Sequence, residues 1–147
     1  MKIVDSHKMA EIDAVSQSEY SYPSILLMEN AGIKACHKTK ELFAKNPEYL
    51  DNAVFIAGKG NNGGDALVMA RQFFLEGGKN TAVVLLSENL QGDPLTNLTI
   101  CRKLGMKILA WEHDRKAIQE VIFKADALFD GLTGTGVKGE LKGSLKE

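Results

Sequence analysis

Apolar and polar positions divide the chain into a helical N-terminal part and a longer part in which two patterns alternate. The first part predicts a short helix over 6–16 and a stronger helix from Pro23 to Phe43, with Ser21 as a possible N-cap. From residue 52 onward, short apolar runs typical of buried strands alternate with amphipathic stretches typical of helices. The predicted strands are 52–57, 81–86, 106–110 and 126–130, and the predicted helices between them are 64–77, 93–105 and 114–124.

This alternation predicts an α/β domain in which right-handed crossovers place helices on both faces of a parallel sheet. In the doubly wound strand order 3-2-1-4, the first and fourth strands are neighbours, and ligands bind at the carboxyl ends of the strands beside that switch point. No internal repeat, low-complexity segment or linker interrupts the 147 residues. We therefore expect one domain over 1–147.

Composition narrows the classes of function only slightly. Hydrophobic residues make up 44% of the chain and charged residues 25%, with a net charge of −1, so no general electrostatic attraction to nucleic acid or to an anionic membrane is expected. Cys36 and Cys101 match no metal or redox spacing, and a structural disulfide is not expected. Without a signal peptide or a membrane-spanning window, a cytoplasmic protein is the expectation.

Two glycine-rich loops are predicted to meet at the switch point. Gly58 to Asp65 links the first strand to its helix, and Gly131 to Glu140 follows the fourth strand. A helix start after a glycine-rich bend suits a phosphate, because backbone N–H groups and the helix dipole point at one place. The first loop matches G-x-G-x-x-G, but Glu88 is slightly late for a ribose partner, and no Walker sequence is present. Nucleotide binding is predicted without a specific hydride or phosphoryl transfer.

Each polar side chain in these two loops has one structural interpretation and one functional interpretation. Asp65 either interacts with a helix dipole or binds a ligand, and Asn61 and Asn62 either adopt turn conformations or bind one. Lys138 either neutralises a phosphate or is solvated. Asp130 ends a strand that we predict to be buried, where an unpaired carboxylate is costly, so a cation or polar ligand is expected beside it.

Three motifs in order resemble one known family. They are Gly60-Asn61-Asn62-Gly63-Gly64-Asp65 followed by Ala70-Arg71, the helical segment Leu27-Met28-Glu29-Asn30-Ala31-Gly32, and Asp130-Gly131-Leu132-Thr133-Gly134-Thr135-Gly136. Together they cover essentially the whole chain and resemble the YjeF N-terminal domain family, the NAD(P)H-hydrate epimerases, whose vertebrate members are also known as apolipoprotein A-I-binding proteins.

The resemblance implies a Rossmann-like αβα sandwich with N-terminal helices packed on the sheet. It implies an isomerase of nicotinamide nucleotide repair, which interconverts the R and S hydrates of NADH and NADPH (NADHX and NADPHX) for an S-specific NAD(P)H-hydrate dehydratase. A potassium ion held by Asn62 and Asp130 and a homodimer through the N-terminal helices are implied as well. Because epimerisation of the hydrates needs proton transfer at oxygen, we hypothesise that Asp130 contributes to catalysis directly or through the cation, with Asp65 as the second candidate. The implied substrate contacts are Asn61, Asn62, Gly63, Gly64, Asp65, Gly134, Thr135, Gly136, Val137, Lys138, Gly139 and Glu140.

The chain also departs from the family pattern, because members usually continue with further strands and an aspartate-x-Pro-Ser-Gly segment. The sequence therefore resembles a truncated epimerase domain, with strand 126–130 at a sheet edge and a tendency to associate. Two other functions stay open: a non-catalytic nucleotide-binding or scaffold module, and a Rossmann oxidoreductase domain. The preference between NADHX and NADPHX is open too.

Overall fold

In the computed structural model, residues 4–78 and 80–134 form a parallel sheet with helices on both of its faces; these are the residues that the structure describes. The helices are α1 (Ser6–Ser18), α2 (Ser24–Leu42), α3 (Asn61–Leu75), α4 (Gly92–Lys103) and α5 (Arg115–Phe123). The strands are β1 (Ala53–Ala57), β2 (Ala82–Leu85), β3 (Lys107–Ala110) and β4 (Ala127–Gly131), and a 3-10 turn covers Pro47–Leu50.

The order of the strands in the sheet is β3-β2-β1-β4, and every pair is parallel. This order confirms the predicted 3-2-1-4 arrangement, in which the crossovers reverse direction between β1 and β4. The central residue of β1, Phe55, is in register with Val83 of β2 and Phe129 of β4. The carboxyl ends of β1 and β4 therefore lie side by side, and the segments that follow them meet at the same edge of the sheet.

Two hydrophobic clusters hold the layers together, one on each face of the sheet. The larger cluster joins β1 and β2 to α2, α3 and α4, and the smaller one packs α5 against the opposite face. In the larger cluster the Phe55 ring stacks on Phe129 with centroids 4.4 Å apart and meets the Phe73 ring edge-on at 5.3 Å. Both faces are covered, as the predicted αβα sandwich requires.

Helix α2 packs closely along α3 through a glycine. A Cβ added at Gly32 would lie 2.5 Å from the Val68 Cβ and 3.0 Å from the Asp65 carbonyl oxygen. A side chain there would push α2 away from α3, so the glycine's lower helix propensity, about 1 kcal/mol relative to alanine, is offset by the close contact. The contact explains why a glycine stands inside a long helical pattern.

The start of α2 differs from the prediction. Ser21 has a φ of +52° and lies outside the helix, whose N-cap is Pro23, without a side-chain cap bond among the described residues. The prediction of Ser21 as cap was wrong, because the left-handed turn at this residue and the extended Pro23 separate its hydroxyl from the first helical turn. Tyr22 instead accepts a hydrogen bond from Asn30 Nδ2 at 3.1 Å.

Strand β4 is an edge strand in the described part of the sheet, and its side chains alternate between half-buried and exposed. Leu128 is 52% exposed, and Asp130 is exposed as well. The edge position agrees with the prediction, but the expectation of a buried strand was wrong. In the described part of the sheet β4 pairs with β1 alone, and a strand at an edge keeps alternate side chains accessible to water.

Two further features bear on the class of protein. Cys36 and Cys101 are free and fully buried, and burial raises the pKa of each thiol to about 11, so both behave as apolar core residues. None of the helices in the described part of the chain combines the length and apolar character needed to span a membrane.

Candidate functional site

The loop after β1 is held against the segment after β4 by backbone contacts. The Gly58 N–H donates to the Gly131 carbonyl at 3.0 Å, and a Cβ on Gly58 would lie 2.0 Å from the Leu132 carbonyl oxygen. A Cβ on Gly63 would lie 2.0 Å from the Gly58 carbonyl oxygen. Only glycine lets the three backbone segments approach this closely.

Helix α3 begins earlier than the sequence pattern indicates, which changes where the motif residues lie. Its first residue is Asn61, and its N-cap is Gly60 in an extended conformation. Asn61 to Gly64 thus form the first helical turn, whereas we predicted a loop up to residue 63. The local pattern of glycine and asparagine is typical of a turn, but the chain is helical from Asn61 onward, and Gly63 packs closely against the Gly58 carbonyl.

Asn62 connects the two glycine-rich segments directly. Its Nδ2 donates to the Thr133 carbonyl at 2.9 Å, and its Cβ lies 3.8 Å from the position that a Cβ would occupy on Gly134. The prediction that the two loops meet at the switch point is therefore confirmed for residues up to 134. The other residues predicted in the second loop, Thr135 to Glu140, lie outside the described residues.

A cleft of about 400 Å³ opens where α2, α3 and the end of β4 come together. Its polar side chains are Asn62 and Asp65 from α3 and Asp130 from β4, and its apolar walls include Ala31 and Ala35 of α2. The small alanine side chains leave room beside the two carboxylates. Sequence reasoning missed these α2 residues as site residues, because alanine on a helix carries no chemical signal of its own.

Asp65 is the most perturbed carboxyl group in the described part of the chain. Burial raises its pKa to about 6 from the ordinary value of 3.8, and the negative charge of Asp13 on α1 adds to the effect. A carboxyl group with this pKa exchanges protons near neutral pH, which suits general acid–base chemistry. The role of Asp13 has no signal in the sequence, since α1 is only weakly periodic.

Asp130 is placed differently from Asp65. Its side chain is exposed, and its Oδ1 accepts a hydrogen bond from the Leu132 N–H at 2.8 Å. The argument that burial obliges this carboxylate to find a partner was therefore wrong, because an edge-strand residue keeps access to water. Its place at the carboxyl end of β4, in the same cleft as Asn62 and Asp65, still makes it a candidate site residue.

The donors in this cleft suit a hard cation. Hydrogen bonding of the Asn62 Nδ2 to Thr133 fixes the amide and turns its oxygen away from that carbonyl, and Asp130 keeps a second carboxylate oxygen beyond the one that Leu132 engages. Oxygen ligands of this kind are those that hard cations prefer. Within residues 4–78 and 80–134, no group of three or more His, Cys, Asp or Glu side chains could hold a metal ion, so a cation here would need amide or carbonyl oxygens too.

Residues 24–147 match the family described as YjeF-related protein N-terminus. The chain belongs to this family. It is 34% identical to the NAD(P)H-hydrate epimerase of Rhodopirellula baltica over 95% of this chain and 55% of that protein. It is 33% identical to the NAD(P)H-hydrate epimerase of Pirellula staleyi over 99% of this chain and 63% of that protein.

A bifunctional relative and a solved structure also match nearly the whole of this chain. The bifunctional NAD(P)H-hydrate repair enzyme Nnr of Moorella thermoacetica is 38% identical over 97% of this chain, which covers 27% of that enzyme. The crystal structure of yeast YNL200c superposes with a TM-score of 0.81 and 26% identity over 99% of this chain and 62% of the yeast chain. The chain thus spans between about a quarter and two thirds of the length of these relatives.

The YjeF-type signature on α2 positions α3. Glu29 forms an ion pair with the Nη2 of Arg71, the arginine that follows the glycine-rich motif, and the side chains of the pair are 29% and 12% exposed. The same Nη2 lies 3.4 Å from the Asn97 Oδ1 of α4, and the Asn97 Nδ2 lies 3.4 Å from the Met28 sulfur. Together with Asn97, these motif residues connect α2, α3 and α4.

The YjeF-type motif residues at the start of α3 line two different clefts. Asn62 and Asp65 line the cleft beside β4, whereas Asn61 faces a second cleft of about 610 Å³ on the β2 side. Gly63 and Gly64 are buried between the two clefts. The structure therefore brings Asn62, Asp65 and Asp130 together and places Asn61 apart from them. Asn89, Gln91 and Asp93 of the second cleft were missed, because they follow β2 without forming a motif.

Proposed function

We propose that this chain is an NAD(P)H-hydrate epimerase, which interconverts the R and S hydrates of NADH and NADPH. One observation carries the proposal: two carboxyl groups, Asp65 and Asp130, line a single cleft beside the Asn62 amide at the switch point of the sheet. The relatives that align with 95–99% of this chain and are named NAD(P)H-hydrate epimerase support the same activity.

The chemistry of the hydrates suits such a pair of carboxyl groups. The carbon that changes configuration carries a hydroxyl group and is bonded to the ring nitrogen. We propose that protonated Asp65 donates its proton to the hydroxyl, which leaves as water and gives a planar iminium. Water then adds to the other face and Asp130 accepts its proton, which restores the hydrate with inverted configuration. Opening and reclosure of the ring is an alternative route that needs the same two groups.

The raised pKa of Asp65 supports its role as the acid in this scheme. Near pH 6 about half of its carboxyl groups hold a proton, so the group donates and regains one without a large energetic cost. The exposed Asp130 and the half-buried Asp65 have different surroundings within one cleft. Two carboxyl groups in unlike environments are a common arrangement for an acid and a base that work together.

Potassium is the cofactor that we propose for this site. Asn62 and Asp130 would hold it through their amide and carboxylate oxygens. When bound, the ion would supply a fixed positive charge beside the oxygen atoms on which negative charge develops.

We further propose a place for the chain in cytoplasmic nicotinamide nucleotide repair, next to an S-specific NAD(P)H-hydrate dehydratase. Relatives named bifunctional NAD(P)H-hydrate repair enzyme support a second, coupled activity. We also propose a homodimer through the N-terminal helices. The exposed apolar side chains Met9, Ile12 and Val15 of α1 support an interface there.

An epimerisation assay tests the function directly. A mixture of R and S hydrates is treated with an S-specific dehydratase until only R remains, and the 147-residue chain is then added in potassium buffer. We expect rapid loss of the remaining hydrate and reappearance of absorbance from the reduced nicotinamide. The Asp130→Asn variant should reduce the rate at least about a hundredfold, the range expected for a lost acid–base group.

Two results would contradict the proposal. If the wild-type chain does not accelerate loss of the R hydrate, the epimerase function is wrong, and binding of the hydrates without turnover would favour a non-catalytic nucleotide-binding or scaffold module. If Asp130→Asn keeps full turnover and full dependence on potassium, the function stands but the assignment of Asp130 is wrong.

A further inference from the structure

The second cleft, on the β2 side of α3, has no part in the chemistry described above. It is lined by Lys59 and Asn61 at the start of α3, by Asn89 and Gln91 after β2, and by Gly92 and Asp93 at the start of α4. Its volume of about 610 Å³ lies within the range of small-molecule binding sites. The first turn of α3 separates it from the cleft that holds Asp65 and Asp130, since neighbouring residues of that turn, Asn61 and Asn62, line one cleft each.

The first turn of α3, with its N-cap Gly60, forms a ridge between the two clefts. The Gly60 φ of −92° and ψ of −169° are open to any residue, and among the described residues no heavy atom lies within 4 Å of the position that its Cβ would take. Gly58 and Gly63 are different, because a Cβ on either would collide with backbone. Protein contacts in the described residues therefore explain those two glycines and leave Gly60 unexplained. Open space above a glycine backbone is what a ligand that crosses the ridge requires.

The polar groups around the ridge form two kinds of binding surface. The caps of both α3 and α4 lack a side-chain hydrogen bond within the described residues, so backbone N–H groups of the first turns are left for another acceptor. Lys59, which is exposed, adds a positive charge on the α3 side. Asp93, on the far side of the cleft, brings a carboxylate that would repel a phosphate and accept hydrogen bonds from ribose hydroxyls.

We propose that the second cleft binds the adenosine half of the dinucleotide, with the pyrophosphate crossing the ridge at Gly60. This inference rests on the proposed epimerase function and adds the orientation of the dinucleotide, with its adenosine half on the β2 side of α3. The phosphates meet Lys59 and the N–H groups at the start of α3, and the adenosine ribose meets Asp93. An acidic residue after the second strand takes the ribose hydroxyls in many doubly wound nucleotide-binding domains.

Glu88, which lies slightly late in the sequence for a ribose partner, contacts other side chains. Its carboxylate lies 3.2 Å from Arg102 Nη2 and 3.6 Å from His113 Nε2, away from the lining of the second cleft. Asp93 is the carboxylate that the structure places there. A free inorganic phosphate would need only the Lys59 side of the cleft, so the amide and carboxylate groups opposite favour a nucleotide over a simple anion.

The test compares a dinucleotide substrate with its nicotinamide riboside part, which carries neither phosphate nor adenosine. Single epimers of NADH hydrate and of the hydrate of reduced nicotinamide riboside are incubated with each variant, and chromatography follows the appearance of the other epimer. Gly60→Ser and Lys59→Met should raise the KM for the dinucleotide about tenfold, the effect of one lost hydrogen bond to a charged group. Both should change the KM for the riboside by less than about twofold. Lys124→Met removes an exposed lysine at the far end of α5 and serves as control.

Gly60→Ser also separates binding from folding. Serine is a preferred N-cap residue and its φ and space are free here, so the variant should melt at the wild-type temperature or higher while it loses dinucleotide affinity. Its hydroxyl accepts from the same N–H groups that the pyrophosphate would use. Equal effects on the two substrates, or none on the dinucleotide, would overturn the inference.

Binding of ADP to the wild-type chain distinguishes failure of the inference from failure of the proposed function. We expect ADP to bind, to bind about tenfold more weakly to Gly60→Ser and Lys59→Met, and to outcompete inorganic phosphate. If the chain epimerises neither hydrate but binds ADP in this way, the function is wrong and the nucleotide subsite stands. If it epimerises both hydrates and ADP does not bind, the subsite is wrong and the function stands.

Discussion

Replacing Asp65 with asparagine should stabilise the fold at neutral pH and remove activity. Burial and the charge of Asp13 raise the Asp65 pKa from 3.8 to about 6, so the folded chain holds a proton that the unfolded chain has already released. Between these two values the folded state binds more protons, and the free energy of unfolding falls as the pH rises. Above pH 6 the folded state bears the full cost of keeping the Asp65 carboxylate ionised in a half-buried place. Below about pH 4 the carboxyl group is protonated in both states, and this cost is absent. The asparagine side chain of the variant is neutral at every pH and escapes this penalty.

The size of the gain follows from the two pKa values. They lie roughly two pH units apart and each unit is worth about 1.4 kcal/mol, which sets a ceiling of about 3 kcal/mol. Asp65 is only half-buried, so water screens part of this cost, and we expect about 1–2 kcal/mol. For a domain of this size that corresponds to a rise in Tm of about 2–6 °C above pH 6.

Thermal denaturation of wild type and Asp65→Asn between pH 4 and pH 8 measures this effect. The difference in Tm should be near zero at pH 4, grow through pH 5 and level off above pH 6. Glu112→Gln, which makes the same exchange of carboxylate for amide at an exposed position, is the control. Asp13→Asn should give a smaller gain over the same range, because it removes only the second cause of the raised pKa. A Tm difference that is independent of pH, or a loss of stability at pH 7, would refute the reasoning.

Three further substitutions test the contacts beneath the site. Gly63→Ala forces a Cβ to within 2.0 Å of the Gly58 carbonyl oxygen, and urea unfolding should show a loss of about 2–3 kcal/mol. Asn62→Asp turns the donor to the Thr133 carbonyl into a negative acceptor and should cost about 1–3 kcal/mol by the same measurement; an unchanged midpoint would show that the bond contributes nothing. Glu29→Leu leaves the Arg71 charge without its carboxylate and should cost about 3 kcal/mol, whereas the double variant with Arg71→Leu should recover most of it. A double variant as unstable as the single one would contradict that account.

The order of the strands could be predicted from the sequence because it depends on a pattern repeated along the chain. Short apolar runs alternate with amphipathic stretches, and the handedness of parallel crossovers then leaves few arrangements. The meeting of the two glycine-rich segments followed from the same rule. These predictions need only local patterns and one general constraint on chirality.

Apart from the local error at Ser21, the errors concern tertiary contacts that the local sequence pattern does not reveal. Whether Asp130 is buried depends on what covers β4, and no residue near it in the sequence carries that information. The start of α3 depends on the approach of Gly63 to Gly58 and of α2 to α3, which a turn-like run of Gly and Asn does not reveal. Asp13 affects Asp65 only because α1 folds back toward α3. In each case tertiary structure decides against the local preference.

The glycines at the start of α3 lack a side chain for two different reasons. Gly58 and Gly63 are required by backbone contacts that the fold itself makes, so their replacement should damage stability and activity together. Gly60 has an ordinary backbone conformation and free space above it in the described structure, so its replacement by serine should leave stability intact and damage only the binding of a ligand that crosses it. If Gly63→Ala and Gly60→Ser lost stability alike, Gly60 would be a structural glycine too, and the path that we propose for the dinucleotide would lose its main support.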